Sequence, residues 1–214
     1  MQYTSAKFND YFKNVVLRWE GKTSNDARDT AVRCAPFSGA IHTNKGVTFC
    51  TFKAKAKRLK IDPVTYDKFI KLTDEEVKRF VWDFMRSVQA EQLKDNVALA
   101  LTEAAWGSGP VRAIRQLYEA LNKLNYRLPV KDTLTRNVIN IANNINEKLL
   151  FDEYIKIREK YLYETLGGSP RYSMFVRGWR NRMEDFKKKF APKRNFFNFF
   201  FLGSALFFLA VPKK

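Results

Sequence analysis

Glu20 is the residue of this chain best placed for acid chemistry. Phe8, Tyr11, Phe12, Val15, Val16 and Trp19 recur at helical spacing, which predicts one buried stripe on one helix. Glu20 follows at the edge of that stripe, and Gly21 reads as a helix stop. A carboxyl in that position sits half against apolar side chains and half toward an opening. Desolvation disfavours the charged form of a carboxyl, which is what a general acid requires. The same position is also that of an ordinary surface glutamate at a helix end. The other chemistry-bearing residues are sparse. His42, the single histidine, lies between the two cysteines, Cys34 and Cys50. Three ligands without a familiar spacing make a poor zinc site, so no metal is expected and the cysteines read as ordinary thiols. One histidine in a loop also argues against a Ser-His-Asp triad.

The elements that must position Glu20 are mostly helical. A first helix is predicted from about Thr4 to Trp19. A polar loop, Lys22 to Asp29, and an irregular stretch rich in turn formers follow it. Ala40-Ile41 and Val47-Thr48-Phe49 flank Asn44-Lys45-Gly46 and suggest a short hairpin. Next come helices over Thr51–Leu59 and from Asp62-Pro63 to Lys71, then one opened by a Thr73/Glu76 capping box that buries Val77, Phe80, Val81 and Phe84. Helices over Leu93–Ala105 and from Pro110 follow, the second with Val111, Ile114, Leu117, Tyr118 and Leu121 on one face. Leu134, Val138, Ile141, Ala142, Ile145 and Leu149 form a further stripe. A long helix then runs through Tyr154, Ile157, Tyr161 and Leu162, and a last one through Phe175, Trp179, Met183, Phe186 and Phe190. The expected class is mainly α with at most a small β-hairpin.

Several short motifs appear in a fixed order. Trp19-Glu20-Gly21 is followed by Asn25-Asp26-Ala27-Arg28-Asp29 and by Thr43-Asn44-Lys45-Gly46-Val47-Thr48. Ala104-Ala105-Trp106-Gly107-Ser108-Gly109, Ile157-Arg158-Glu159-Lys160-Tyr161 and Phe175-Val176-Arg177-Gly178-Trp179-Arg180-Asn181-Arg182 come later. Over roughly residues 5–190 this pattern resembles glycoside hydrolase family 108, the lysozyme-like N-acetylmuramidases of bacteria and their phages. Three departures stand out. Lys22 replaces the family's second glycine, residues 30–42 form an insertion, and Pro129 to Thr135 lacks the glycines of the family's C-terminal element.

The resemblance implies a lysozyme-like helical fold, with a catalytic lobe over 1–88 and a peptidoglycan-domain-like lobe over 89–190. It implies cleavage of the β-1,4 bond between N-acetylmuramic acid and N-acetylglucosamine in peptidoglycan, with Glu20 protonating the leaving oxygen. Asp29, then Asp26, are the candidates for the second carboxylate that glycosidases use. Thr43, Asn44, Thr48 and Trp106 are the expected substrate contacts, with hairpin hydrogen bonding as the alternative role of the first three. Trp179 reads as core and Arg182 as a structural ion pair. No cofactor is implied. The alternative reading is a catalytically impaired wall-binding or membrane-active lysis protein.

A formal charge of +17 predicts attraction to polyanions, although no specific nucleic-acid module is recognised. The N-terminus has no basic region leading into an apolar run, so no signal peptide is expected. Residues 191–214 read as a basic linker and a hydrophobic tail. The Phe-rich stretch 196–211 would rise about 24 Å as a helix, short of the roughly 30 Å hydrocarbon core, and is expected as a membrane anchor. That places the chain at the host inner membrane, or in the cytoplasm before lysis. Oligomeric state is not readable.

Overall fold

The computed structural model describes residues 1–193. The expected anchor helix over 196–211 lies outside the described residues. Among those described, no helix is long and apolar enough to cross a membrane.

The first helix is α over Ala6–Tyr11 (α1), widens to π geometry over Phe12–Leu17, and closes α over Arg18–Glu20 (α2). Ser5 caps it by accepting from the Phe8 amide. The predicted stripe is real: Phe8, Tyr11, Phe12, Val15 and Val16 are buried and Trp19 lies against the same core.

A hairpin forms where the turn was expected, but its first strand is Thr43–Asn44 and not Ala40-Ile41, and a third strand joins it. β1 (Thr23–Ser24), β2 (Thr43–Asn44) and β3 (Val47–Thr48) form an antiparallel sheet in the order β1-β2-β3. Asn44 faces Val47, so Lys45 and Gly46 alone make the turn. Their φ values of 48° and 79° are those of a type I′ hairpin, whose twist matches its strands. Thr23-Ser24 carries no strand signal in the sequence, because two residues cannot display an alternation.

Thr48 caps α3 (Phe49–Lys55). The next helix is shorter than expected and starts later. Asp62-Pro63 is a cis peptide and opens nothing; Thr65 is the cap of α4 (Tyr66–Ile70), accepting from the Lys68 amide. The Thr73/Glu76 capping box is present in both directions at the head of α5 (Asp74–Ser87).

α6 (Asp95–Ser108) is the axis of the molecule. Every residue from Asn96 to Ala105 is buried, so neighbours enclose it on all sides. α7 (Pro110–Lys123), with Pro at its first position, lies against it, and α9 (Glu147–Lys160) packs on both. Val111, expected inside, is exposed. The stripe from Leu134 to Leu149 divides: α8 (Arg136–Asn144) ends at Ile145, and Asn146 caps α9, which leaves Leu149 outside. A π segment, Tyr161–Leu166, continues α9, and α10 (Val176–Phe190) closes the described chain. One buried apolar cluster runs from Phe8 to Phe190 and draws on both expected lobes.

The cysteines correct the sequence reading. Cys34 and Cys50 are joined in a disulfide, with Cα atoms 5.2 Å apart. The bond ties a 3-10 turn, Thr30–Cys34, to the first turn of α3. The expected insertion is therefore fastened through its first turn, and neither thiol is left for a metal. Among the described residues no group of three or more His, Cys, Asp or Glu could hold one.

Candidate active site

Glu20 is the last residue of α2, and α10 fixes that helix end twice. Trp19 Nε1 donates to Asp185 Oδ2 at 3.0 Å, and Arg182 Nη1 donates to Glu20 Oε1. Arg182 and Asp185 are three apart and share a helix face, so one surface of α10 makes both contacts. A carboxylate at a helix C-terminus sits at the negative end of the macrodipole, and a cation is the expected compensation. The Glu20 side chain is 28% exposed and the Arg182 side chain 10%. The sequence reading set Glu20 against apolar groups; the structure sets it against a guanidinium.

Arg182 leads inward. Its Nε lies 3.2 Å from Glu103 Oε1, while Glu103 Oε2 lies 3.3 Å from Arg158 Nε. Arg158 Nη1 donates to Ser108 Oγ at 2.6 Å. Glu103 and Arg158 are almost wholly enclosed. Burial works against the Arg182 charge, but the Glu20 and Glu103 carboxylates outweigh it and hold the guanidinium more firmly protonated than in water. Burial likewise pushes the neighbouring Tyr11 hydroxyl up, so it stays neutral. A cavity of about 110 Å³ opens beside Glu20, lined by this charge network and by Leu162, Leu166, Trp179 and Met183.

The hairpin approaches Glu20 from outside that cavity. A Cβ on Gly46 would stand 2.8 Å from the Trp106 ring and 3.1 Å from Glu20 Cβ. Only glycine lets the turn come this close, and its positive φ favours glycine as well. Trp106 is half-buried and packs edge-on against Phe84. Lys45 holds the turn in place by donating to the Leu72 carbonyl at 3.1 Å and to Asp74 at 2.5 Å.

The other expected contacts have structural partners. Asn44 is buried and donates to the Phe69 carbonyl at 2.8 Å. Thr48 caps α3 and also donates to Thr51 Oγ1. Thr43 Oγ1 lies 3.0 Å from His42 Nδ1, and His42 Nε2 lies 3.2 Å from the Asp26 carbonyl. A carbonyl only accepts, so Nε2 carries the ring hydrogen and His42 is a satisfied core residue. Of these candidates, Trp106 is the one brought up to Glu20.

The acidic loop is partly committed too. Asp26 accepts from Arg28 Nε and Nη2 at 2.9 and 2.6 Å, and these bonds hold its carboxyl down at about 2. Asp29 Oδ1 accepts from the Ala31 amide and caps the 3-10 turn. Neither lines the cavity beside Glu20.

Residues 13–109 match the family model described as Glycosyl hydrolase 108. Over those residues the chain is similar to the glycosyl hydrolase 108 family. The matched glycosyl hydrolase 108 segment carries Glu20, the hairpin, Glu103 and Trp106. Arg158 and Arg182 come from beyond it. Among solved structures, that of Brucella abortus SagA is similar, with a TM-score of 0.65 and 17% identity over 87% of this chain and 96% of that one. This likeness extends the shared fold through the helices after residue 109. A comparison with curated proteins finds no match.

The sequence reading named Arg182 as an ion-pair residue without its partner, and it missed Glu103 and Arg158. A signal for Glu103 was present: a lone carboxylate inside Val97-Ala-Leu-Ala-Leu-Thr-Glu-Ala-Ala-Trp106 must be paired once that helix is buried.

Proposed function

We propose that this chain hydrolyses the glycan strand of peptidoglycan as an N-acetylmuramidase, with Glu20 as general acid. The observation that carries the reading is the placement of Glu20: a partly exposed carboxyl at a helix end, between the Gly46 turn, Trp106 and a buried ion-pair network, inside a glycosyl hydrolase 108 segment. In this scheme Glu20 gives its proton to the oxygen linking N-acetylmuramic acid to N-acetylglucosamine. Trp106 offers an aromatic face to sugar. Asp29 is the better candidate for the second carboxylate, because its cap uses one oxygen, whereas Asp26 spends both on Arg28.

Digestion of purified peptidoglycan, followed by mass spectrometry of the reduced products, tests this. Fragments with reducing-end muramic acid are expected. Reducing-end glucosamine would assign the cut to the other bond. Glu20→Gln is expected to abolish release while leaving the helical circular dichroism unchanged. Full activity in that variant removes Glu20 from the mechanism.

A second reading, a wall-binding protein with impaired catalysis, draws on the commitment of Glu20 to Arg182 and of Asp26 to Arg28. Its signature is sedimentation with peptidoglycan and no products.

A further inference from the structure

We propose that Arg182 is the positioning residue for Glu20, and that Glu103 sets how tightly it holds. The charges alternate from the mouth of the site inward: Glu20, Arg182, Glu103, Arg158. Arg182 anchors Glu20 through Oε1, and the second oxygen of that carboxyl has no hydrogen-bond partner among the described residues. A buried guanidinium facing one carboxylate would lock it as an anion, useless for giving a proton. Here the same guanidinium also faces Glu103, so its attraction is divided. Arg158 in turn holds Glu103, and Ser108 holds Arg158.

Several elements bring titratable groups to the network: besides the four charges, the π segment after α9 brings the Tyr163 hydroxyl toward Glu103, and Asp185 of α10 sits on Trp19 beside Glu20. The first helix contributes the neutral hydroxyl of Tyr11, α6 contributes Glu103, α9 Arg158 and α10 Arg182. On the hairpin side, Gly46 and Trp106 of α6 approach Glu20 without charge, while the turn's Lys45 is engaged by Asp74. The cavity lining adds Leu162, Leu166, Trp179 and Met183. Arg182 and Glu103 act on Glu20 in opposite senses.

The role given to the Glu20 proton rests on the muramidase reading, but the hold of Arg182 can be measured without substrate. The carboxyl carbon of Glu20 is followed by NMR against pH in the full chain with labelled glutamate, its signal assigned by its loss in Glu20→Gln. In Glu103→Gln, which keeps the shape of the side chain, the Glu20 midpoint is expected to fall by about one pH unit. In Arg182→Met it is expected to rise by a similar amount. Arg182→Lys keeps the charge without the planar fork, so its midpoint stays near that of the unmodified chain, while kcat on peptidoglycan falls about tenfold at unchanged KM. An unmoved or raised midpoint in Glu103→Gln overturns the proposal, even if Arg182→Met fails to fold. If the midpoints move as stated and the unmodified chain cuts no peptidoglycan, the muramidase reading fails and the positioning role stands. If the chain cuts and Glu20→Gln does not, with midpoints unmoved, the positioning role fails alone.

Discussion

Two glycines with nearly the same backbone separate the cost of a turn from the cost of a crowded site. Gly39 and Gly46 have φ of 76° and 79°. A Cβ at Gly39 would meet nothing within 4 Å, whereas at Gly46 it would meet Trp106 and Glu20. Alanine at either position carries about 1–2 kcal/mol of left-handed backbone penalty. Gly39→Ala is therefore expected to lower stability and keep activity. Gly46→Ala is expected to lower both, because the hairpin must retreat from Trp106 and Glu20. Thermal melts paired with peptidoglycan digestion of both variants check this. Equal activity in the two would mean that the closeness of the turn to Glu20 is incidental. His42 makes a related point: the one histidine, conspicuous in the sequence, is spent on holding a threonine hydroxyl and a backbone carbonyl.

At the scale of elements, Asp83 of α5 ties down the end of α3. It sits 2.8 Å from Lys55 Nζ and 2.7 Å from Arg58 Nη1. Burial works against its charge, but the hydrogen bonds from Lys55 and Arg58 prevail and hold the carboxyl below its ordinary value. A carboxyl depressed in the folded state contributes stability that is present above its unfolded pKa, near 4, and is lost as pH falls through the folded value. Asp83→Asn should cost about 1–3 kcal/mol at pH 7, and much less at pH 3. Urea unfolding at the two pH values measures the difference. A gap that does not narrow at pH 3 would assign the loss to shape rather than charge. Elements of this kind were legible in uneven measure. The Thr73/Glu76 box and Pro110 announced their helices because caps are local chemistry. Asp62-Pro63 looked like a start and was not, since Thr65 three residues on offered a better cap. The break at Asn146 was hidden because apolar residues on both sides kept helical spacing. Arg182 and Glu103 lie 79 residues apart in sequence, and no local pattern reports a pair made only when α6 and α10 meet.

At the scale of the whole molecule, the described residues form one buried core with a small sheet fastened to it. The 16-residue separation of Cys34 and Cys50 encloses β2, the Gly46 turn and β3. Closing a loop of that size is worth about 3 kcal/mol. Reduction is therefore expected to lower the melting temperature by roughly 6–12 °C, given about 2–4 °C per kcal/mol for a chain of this size. Melts with and without reductant, repeated on Cys34→Ser with Cys50→Ser, check it; the double variant should melt like the reduced protein and ignore reductant. Cys50 is exposed and Cys34 is buried. The consequence concerns timing. Surroundings that keep thiols reduced would leave the strip of chain bearing Gly46 on a slack tether, and oxidising ones would cinch it against Glu20 and Trp106. The same polypeptide would then be a looser tool where it is made and a finished one where it meets an oxidant.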